Sequence, residues 1–167
     1  MLETISKRRS IRKYQDRPVS DGVIETLLRA AMQAPSARNL QPWEFVVVKD
    51  RDILARVPEY HPYSSMVPGA GAAVLVCGNT ELQPDPGYIA QDCSAAVQNL
   101  LLESVNQGLG AVWLGVFPRK ERIDGMMQLF ALPPHVIPVA LVSLGYPAED
   151  PGFQDRFDAG KIHREKW

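Results

Sequence analysis

Three guanidiniums and a hydroxyl fall within five residues at Arg8-Arg9-Ser10-Ile11-Arg12. Arginine presents planar, paired N–H donors that match phosphate oxygens. The stretch is therefore a candidate phosphate clamp, with a solvated basic face as the plain alternative. One helix further along, Pro35-Ser36-Ala37-Arg38-Asn39-Leu40-Gln41-Pro42-Trp43 displays Ser, Arg, Asn, Gln and an indole between fixed backbone points. Pro35 disfavours continuation of a preceding helix, and Pro42 biases Gln41 toward extended backbone. Such a loop of set geometry suits a flat, heteroatom-rich ligand. It equally suits a simple helix-to-strand connection with Trp43 as a core anchor.

Other chemistries find little support. No Ser/His/Asp set is visible, and Cys77, Cys93, His61, His135 and His163 show no metal-ligand spacing. His61 and Tyr63 are available as proton donors, although a lone histidine is more often structural or exposed. Gly69-Ala70-Gly71 and Gly108-Leu109-Gly110 precede strands. A dinucleotide fingerprint follows a strand and opens a helix, so a Rossmann site is rejected. Cys77 ends a buried-strand pattern and Cys93 lies on an apolar helical face. Both are expected to be reduced thiols, although a disulfide is the alternative.

The elements that must position these residues follow from periodicity. A short helix is expected over 2–7, then the basic stretch 8–14. Ser20 caps a helix over 21–34 whose apolar residues recur with the 3.6 period. A strand follows over 44–48, and Asp50 caps a short helix to 57. The irregular segment 58–68 is either a lid over a ligand or a surface loop. A buried strand over 70–77 and a turn-rich stretch over 78–87 lead to the longest helix, 88–107. That helix is apolar over most of its surface, which requires burial on several sides; a central position and a dimer interface both supply it. Then come a strand over 111–116, a helix over 120–130 and a strand over 137–144, apolar on both faces as in a covered sheet. From 147 onward the chain turns polar yet keeps Phe153, Phe157, Ile162 and Trp167. A disordered tail has fewer aromatics, so 147–167 is expected to be an arm that packs on a partner.

The chain of 167 residues, 46% hydrophobic and 22% charged, has the size and make-up of one globular domain, and its alternation of strands and helices is expected to give an α+β fold around a central mixed β-sheet flanked by helices. A net charge of −1 marks no general nucleic-acid binder. The longest apolar runs, 70–77 and 136–144, are too short to span a bilayer. The N-terminus lacks a hydrophobic signal region, so a cytoplasmic protein is expected.

Taken together, R-R-S-I-R at 8–12 and P-S-A-x-N-x-Q-P-W at 35–43 resemble the nitroreductase family of FMN-dependent oxidoreductases. The resemblance extends to Gly108-Leu-Gly-Ala-Val-Trp-Leu-Gly115, similar to the family's glycine-rich strand beside the flavin ring. It also takes in Arg156-Phe-Asp158 and Ile162-His-Arg-Glu-Lys-Trp167, similar to the C-terminal signature of its short members. It covers essentially the whole chain, 1–167. It implies a homodimer exchanging the 147–167 arm, with FMN at the interface and NADH or NADPH as donor. Arg8 and Ser10 would hold the phosphate with Arg9 alongside, and Arg12 would approach the N1/O2 ring edge. Pro35, Ser36, Ala37 and Asn39 would reach the ring and ribityl chain from the other subunit. Gly115 and Val116 would offer backbone N–H groups to N5 and O4. Arg156 would complete the phosphate site, with Arg164 a further candidate. Some larger relatives carry an acidic residue at Gly115, a change to which a backbone donor is indifferent. No side chain is implied as catalytic and no metal is implied. The implied activity is ping-pong reduction of a small acceptor such as a nitroaromatic or quinone. Enoate reduction, reductive dehalogenation, or FMN storage without turnover are the alternatives. Nothing separates NADH from NADPH, because no ribose-reading motif is visible.

Overall fold

The computed structural model describes residues 1–167. Its elements are α1 (Glu3–Lys7), α2 (Asp21–Ala31), β1 (Trp43–Val48), α3 (Arg51–Tyr60), β2 (Ala72–Asn79), α4 (Pro86–Asn106), β3 (Gly110–Gly115), α5 (Lys120–Leu129) and β4 (Val136–Gly145). The strands form one sheet in the order β1-β2-β4-β3.

The sheet is antiparallel throughout these four strands, and the expected mixed character is confined to one parallel bridge, Ser10 with Ala111. The strand–helix alternation pointed to a mixed sheet, and two details of the connections make its four strands antiparallel. After β1 the chain leaves through α3 and returns to the same end of the sheet, where Val48 pairs with Ala73. β2 and β3 do run in one direction, as a helical crossover requires, but β4 lies between them and is antiparallel to both. Pro138 is tolerated in central β4 because the β2–β4 register shifts there: Val76 pairs with Ala140 and Cys77 with Pro138.

Strand alternation builds two cores. Ala72, Val74 and Val76 face a core shared with α2 and α4, whereas Ala73, Leu75 and Cys77 face one that includes α3 residues and Met126 of α5. All six side chains are fully buried, which accounts for the unbroken apolar run in β2. Local chemistry sets the helix starts. The Ser20 hydroxyl accepts from Val23 N, Asp50 from Asp52 and Ile53 N at 2.9 Å, and Asp85 from Gly87 N at 2.7 Å. With Asp85 as cap, Pro86 occupies the first helical turn, where it sacrifices no bond. Hence α4 begins inside the stretch expected to be turns. Similarly, α3 runs through Pro58 to Tyr60, and α2 stops at Ala31. Cys77 and Cys93 are buried free thiols, and burial pushes both up, Cys93 to about 12. No helix is long and apolar enough to cross a membrane.

The basic stretch is fastened along the open edge of β3. Ile11 N donates to Ala111 O at 3.0 Å, and Gln15 N to Tyr146 O at 2.8 Å. The Tyr14 hydroxyl donates to Ile11 O at 2.9 Å and lies 3.0 Å from Ser143 Oγ. Gly110 is needed for this approach, since a Cβ there would meet Ile11 at 2.6 Å.

Candidate functional site

Residues 8–13 turn one side toward the start of the C-terminal arm. Ala148 N donates to Lys13 O at 2.9 Å, and Glu149 Oε1 accepts from Arg12 N and Lys13 N at 2.6 and 3.1 Å. Those two N–H bonds, the Arg12 one first, hold the Glu149 carboxyl below its ordinary value. Arg9 Nε donates to Gly152 O at 2.6 Å, and its guanidinium stands 5.6 Å from the Phe153 ring centre. The arm thus begins against its own domain, whereas residues 151–167 are all exposed, including Phe153, Phe157, Ile162 and Trp167.

A cavity of about 700 Å³ opens between these segments, lined by Arg9, Ser10, Arg12, Lys13 and Arg156 together with Ser65, Met66 and Glu149 among others. Four cations therefore face one carboxylate, and that carboxylate is already bonded to backbone N–H groups. None of Arg8, Arg9, Arg12 and Arg156 makes an ion pair. Burial, followed by the Arg156 and Arg9 charges, pushes the Arg8 guanidinium below its ordinary value. Arg9 Nη2 is buried without a hydrogen-bond partner. Buried donors are normally satisfied, so an unpaired guanidinium nitrogen inside a cationic cluster fits a phosphate-bearing ligand.

Arg12, Ser65 and Met66 also line a second cavity, about 430 Å³, which continues to His61, Tyr63, Trp113, Gly115 and Arg122. The Gly115 carbonyl accepts from His61 Nε2 at 2.9 Å and from Arg122 Nη1 at 2.7 Å. Peptide groups alternate sides along an antiparallel strand, so the Gly115 N–H lies on this same open edge. Val116 is different: its N–H donates to Val139 O at 3.0 Å, toward β4. The pair of ring donors expected at 115 and 116 is thus reduced to Gly115, because strand alternation turns Val116 inward.

His61 is buried, with Tyr63 N donating to its Nδ1 at 3.3 Å. Both ring nitrogens are engaged within the chain. Burial, with Arg122 nearby, lowers its pKa below 6.5. It is a neutral structural group and not a proton donor. The 58–68 segment is a packed wall of the groove: Ser64 and Val67 are fully buried, and Arg51 donates to the carbonyls of Ala70, at 2.6 Å, and Pro68.

The 35–43 loop departs from the extended backbone that Pro42 predicts for Gln41, because the Gln41 N bond to Ser36 Oγ favours a left-handed turn there. Arg38, Asn39 and Gln41 adopt positive φ values of 54°, 56° and 50°, and left-handed backbone costs a non-glycine residue about 1 kcal/mol or more. Among the bonds that hold it are Ala37 N to Asp92 Oδ1 at 3.0 Å, Gln41 N to Ser36 Oγ at 2.9 Å, and Asn39 N to Ser36 O at 3.0 Å. Neither cavity bordered by Arg12 includes any of Pro35, Ser36, Ala37 or Asn39. One chain therefore brings Arg9, Ser10, Arg12 and Arg156 together, and leaves the loop and Arg164 apart from them.

Sequence reasoning missed Asp92, whose buried Oδ2 has no partner, together with Glu149 and Arg122. A lone acid on the apolar face of α4 was a usable signal for Asp92. Glu149 and Arg122 act through tertiary contacts that no local pattern announces.

The nitroreductase family model matches residues 5–61 and 62–146. A protein of Methanothermobacter thermautotrophicus, provisionally named NADH dehydrogenase/NAD(P)H nitroreductase, is 52% identical over 167 residues, covering 100% of this chain and 87% of its own. A provisionally named NADH oxidase structure from Clostridium acetobutylicum superposes with a TM-score of 0.95 at 42% identity, covering 99% of this chain and 100% of that one. A provisionally named nitroreductase in complex with FMN from Desulfovibrio desulfuricans gives a TM-score of 0.84 at 34% identity, covering 98% and 95%.

Proposed function

The chain belongs to the nitroreductase family of FMN-dependent NAD(P)H oxidoreductases, and from that premise we propose that it works as a homodimer reducing a small acceptor, such as a nitroaromatic or quinone, in a ping-pong cycle. The observation that carries this is the cationic cluster around the larger cavity, where four cations face the single carboxylate of Glu149 and Arg9 Nη2 is buried and unpaired. Those features suit a monophosphate, and FMN is the flavin that ends in one.

Residues 1–167 act in this account as one FMN-binding domain. Arg8, Ser10 and Arg156 hold the phosphate, with Arg9 supplying its free nitrogen. Arg12, which lines both cavities, serves the N1/O2 edge of the ring, and the Gly115 N–H is the donor on the β3 edge. When bound, the flavin supplies two-electron chemistry, accepting hydride from the nicotinamide and delivering it to the acceptor. The chain's own part is to anchor, to orient and to exclude water. His61, engaged on both nitrogens, is not placed to move a proton, which leaves the exposed Tyr63 phenol as the groove's candidate donor.

Pro35, Ser36, Ala37 and Asn39 reach the ring and ribityl chain from the partner subunit. Their separation from the arginine cluster within one chain supports that division. So do the exposed aromatics of the 147–167 arm, for which the partner is the natural seat. Arg164 travels on that arm as a further phosphate contact.

Initial-rate measurements of NADH and NADPH oxidation with a nitroaromatic and a quinone test the proposal. Parallel double-reciprocal lines are expected as donor and acceptor are varied. Intersecting lines contradict the ping-pong cycle, and absence of turnover in FMN-loaded protein contradicts the enzymatic role.

A further inference from the structure

The smaller cavity carries a chemical preference of its own. Its ten lining residues include two guanidiniums, Arg12 and Arg122, and no aspartate or glutamate. His61, the remaining titratable cation there, is held neutral by burial and by its two hydrogen bonds. The side chains of Tyr63, Met66 and Pro62 supply the flat and apolar part of the wall, and β3 lines it at Trp113, Leu114 and Gly115.

Arg122 is fixed without being neutralised. It sits in the first turn of α5, where Nη1 donates to Gly115 O at 2.7 Å and the guanidinium lies 5.4 Å from the Tyr63 ring centre. The guanidinium makes no ion pair and donates no other hydrogen bond within the chain. Nearby acids do not compensate it: Asp124 pairs with Lys120, and Glu121 is exposed outside the cavity. A guanidinium oriented by one carbonyl and one aromatic face keeps its remaining N–H groups free for an oxyanion.

We propose that this cavity selects acceptors in which a flat ring carries a carboxylate, and that Arg122 is the residue that recognises the carboxylate. With the flavin ring taking the Arg12 and Gly115 side of the cavity, the flat part of the acceptor would lie between that ring and Tyr63 and Met66, with its charge toward Arg122 of α5. Arg12 contributes to the positive field but belongs equally to the larger cavity, so Arg122 is the specificity-determining residue. This rests on the oxidoreductase role proposed above, whose substrate class it narrows.

Two experiments on the full-length, FMN-loaded protein test it. In turnover, 4-nitrobenzoate and 4-nitrobenzamide form a matched pair that differs mainly in charge. The parent protein is expected to favour the carboxylate in kcat/KM by about tenfold or more, the usual worth of a hydrogen bond to a charged group, and Arg122→Gln to bring the ratio close to one. In binding, benzoate and benzamide are titrated while tryptophan fluorescence is followed, a readout that needs no turnover. Benzoate is expected to bind more tightly than benzamide to the parent, and Arg122→Gln to erase the difference while the bound-flavin spectrum is retained. Equal binding of the two probes by the parent overturns the proposal. A benzoate preference that survives Arg122→Gln but disappears in Arg156→Gln also overturns it, by placing the carboxylate in the arginine cluster. Absence of turnover alongside the expected titration result counts against the oxidoreductase role and leaves carboxylate selection supported.

Discussion

Replacing Arg8 by Gln should stabilise the flavin-free protein while weakening its hold on FMN. Arg8 stands near Arg9 and Arg156 without an ion-pair partner, and burial and those two charges lower its pKa. A lowered pKa on a base means the folded chain carries its charge less readily than the unfolded chain does. The folded chain bears that cost at every pH below the ordinary arginine range, so no titration is expected between pH 5 and 9. Like charges at ~6 Å in an effective dielectric of ~20–80 repel by about 0.7–2.8 kcal/mol, and salt screening favours the lower end. Relief of about 1 kcal/mol in the unliganded state corresponds to a Tm rise of roughly 2–4 °C for a chain of this size. Bound phosphate reverses the sign, because a hydrogen bond to a charged group is worth about 1.5–3 kcal/mol, or roughly 10–150-fold in Kd. Thermal unfolding with and without saturating FMN, alongside fluorescence titration of the flavin, measures both effects. A flavin-free Arg8→Gln protein less stable than the parent, or one with unchanged FMN affinity, refutes the assignment of Arg8 to a cationic phosphate site.

Arg12→Gln should leave FMN bound but lower its midpoint potential by roughly 20–40 mV, because a cation beside the ring favours the reduced state by about 1–2 kcal/mol after screening; potentiometry checks it, and an unmoved potential removes Arg12 from the ring. A chain ending at Ala148 loses Glu149, Gly152 and the aromatic arm, along with their contacts to Arg9, Arg12 and Lys13. Sedimentation is expected to show loss of the dimer, and flavin titration a loss of FMN retention; a truncated dimer that keeps its FMN contradicts the exchanged arm. His61 adds an acid-side stability term, since its folded pKa lies below 6.5. Its contribution is full above pH 6.5 and is lost as pH falls through that value toward the folded one. Urea unfolding from pH 8 to 5 should therefore show a decline in the parent that is smaller in His61→Gln.

Much of this was legible because the relevant physics is local. The caps at Ser20 and Asp50 and the alternation in β2 are set by neighbours in sequence, and each lies where its pattern put it. The positive φ values at Arg38 and Asn39 could not be foreseen, since a proline restrains only itself and the residue before it, and at Gln41 the bond to Ser36 Oγ overrode the extended backbone that Pro42 favours. Non-local features escaped notice. The antiparallel pairing of β2 with β4 depends on a strand more than fifty residues away in the chain. Val116 was expected to offer its N–H outward, but only the pairing with β4 decides which way a strand peptide faces. His61 gave no sign in sequence that Gly115 and Tyr63 would occupy both its nitrogens. Asp92 was visible as an acid in an apolar helix; its bond to Ala37 N, which braces the loop, required the packing of α4.

The most direct test of the central claim is to denature the purified protein and identify the released flavin by chromatography. A cationic cluster of this kind, in a chain without a dinucleotide-binding fingerprint, predicts a yellow protein that releases FMN. Release of mainly FAD, or failure to take up any flavin on reconstitution, would contradict it.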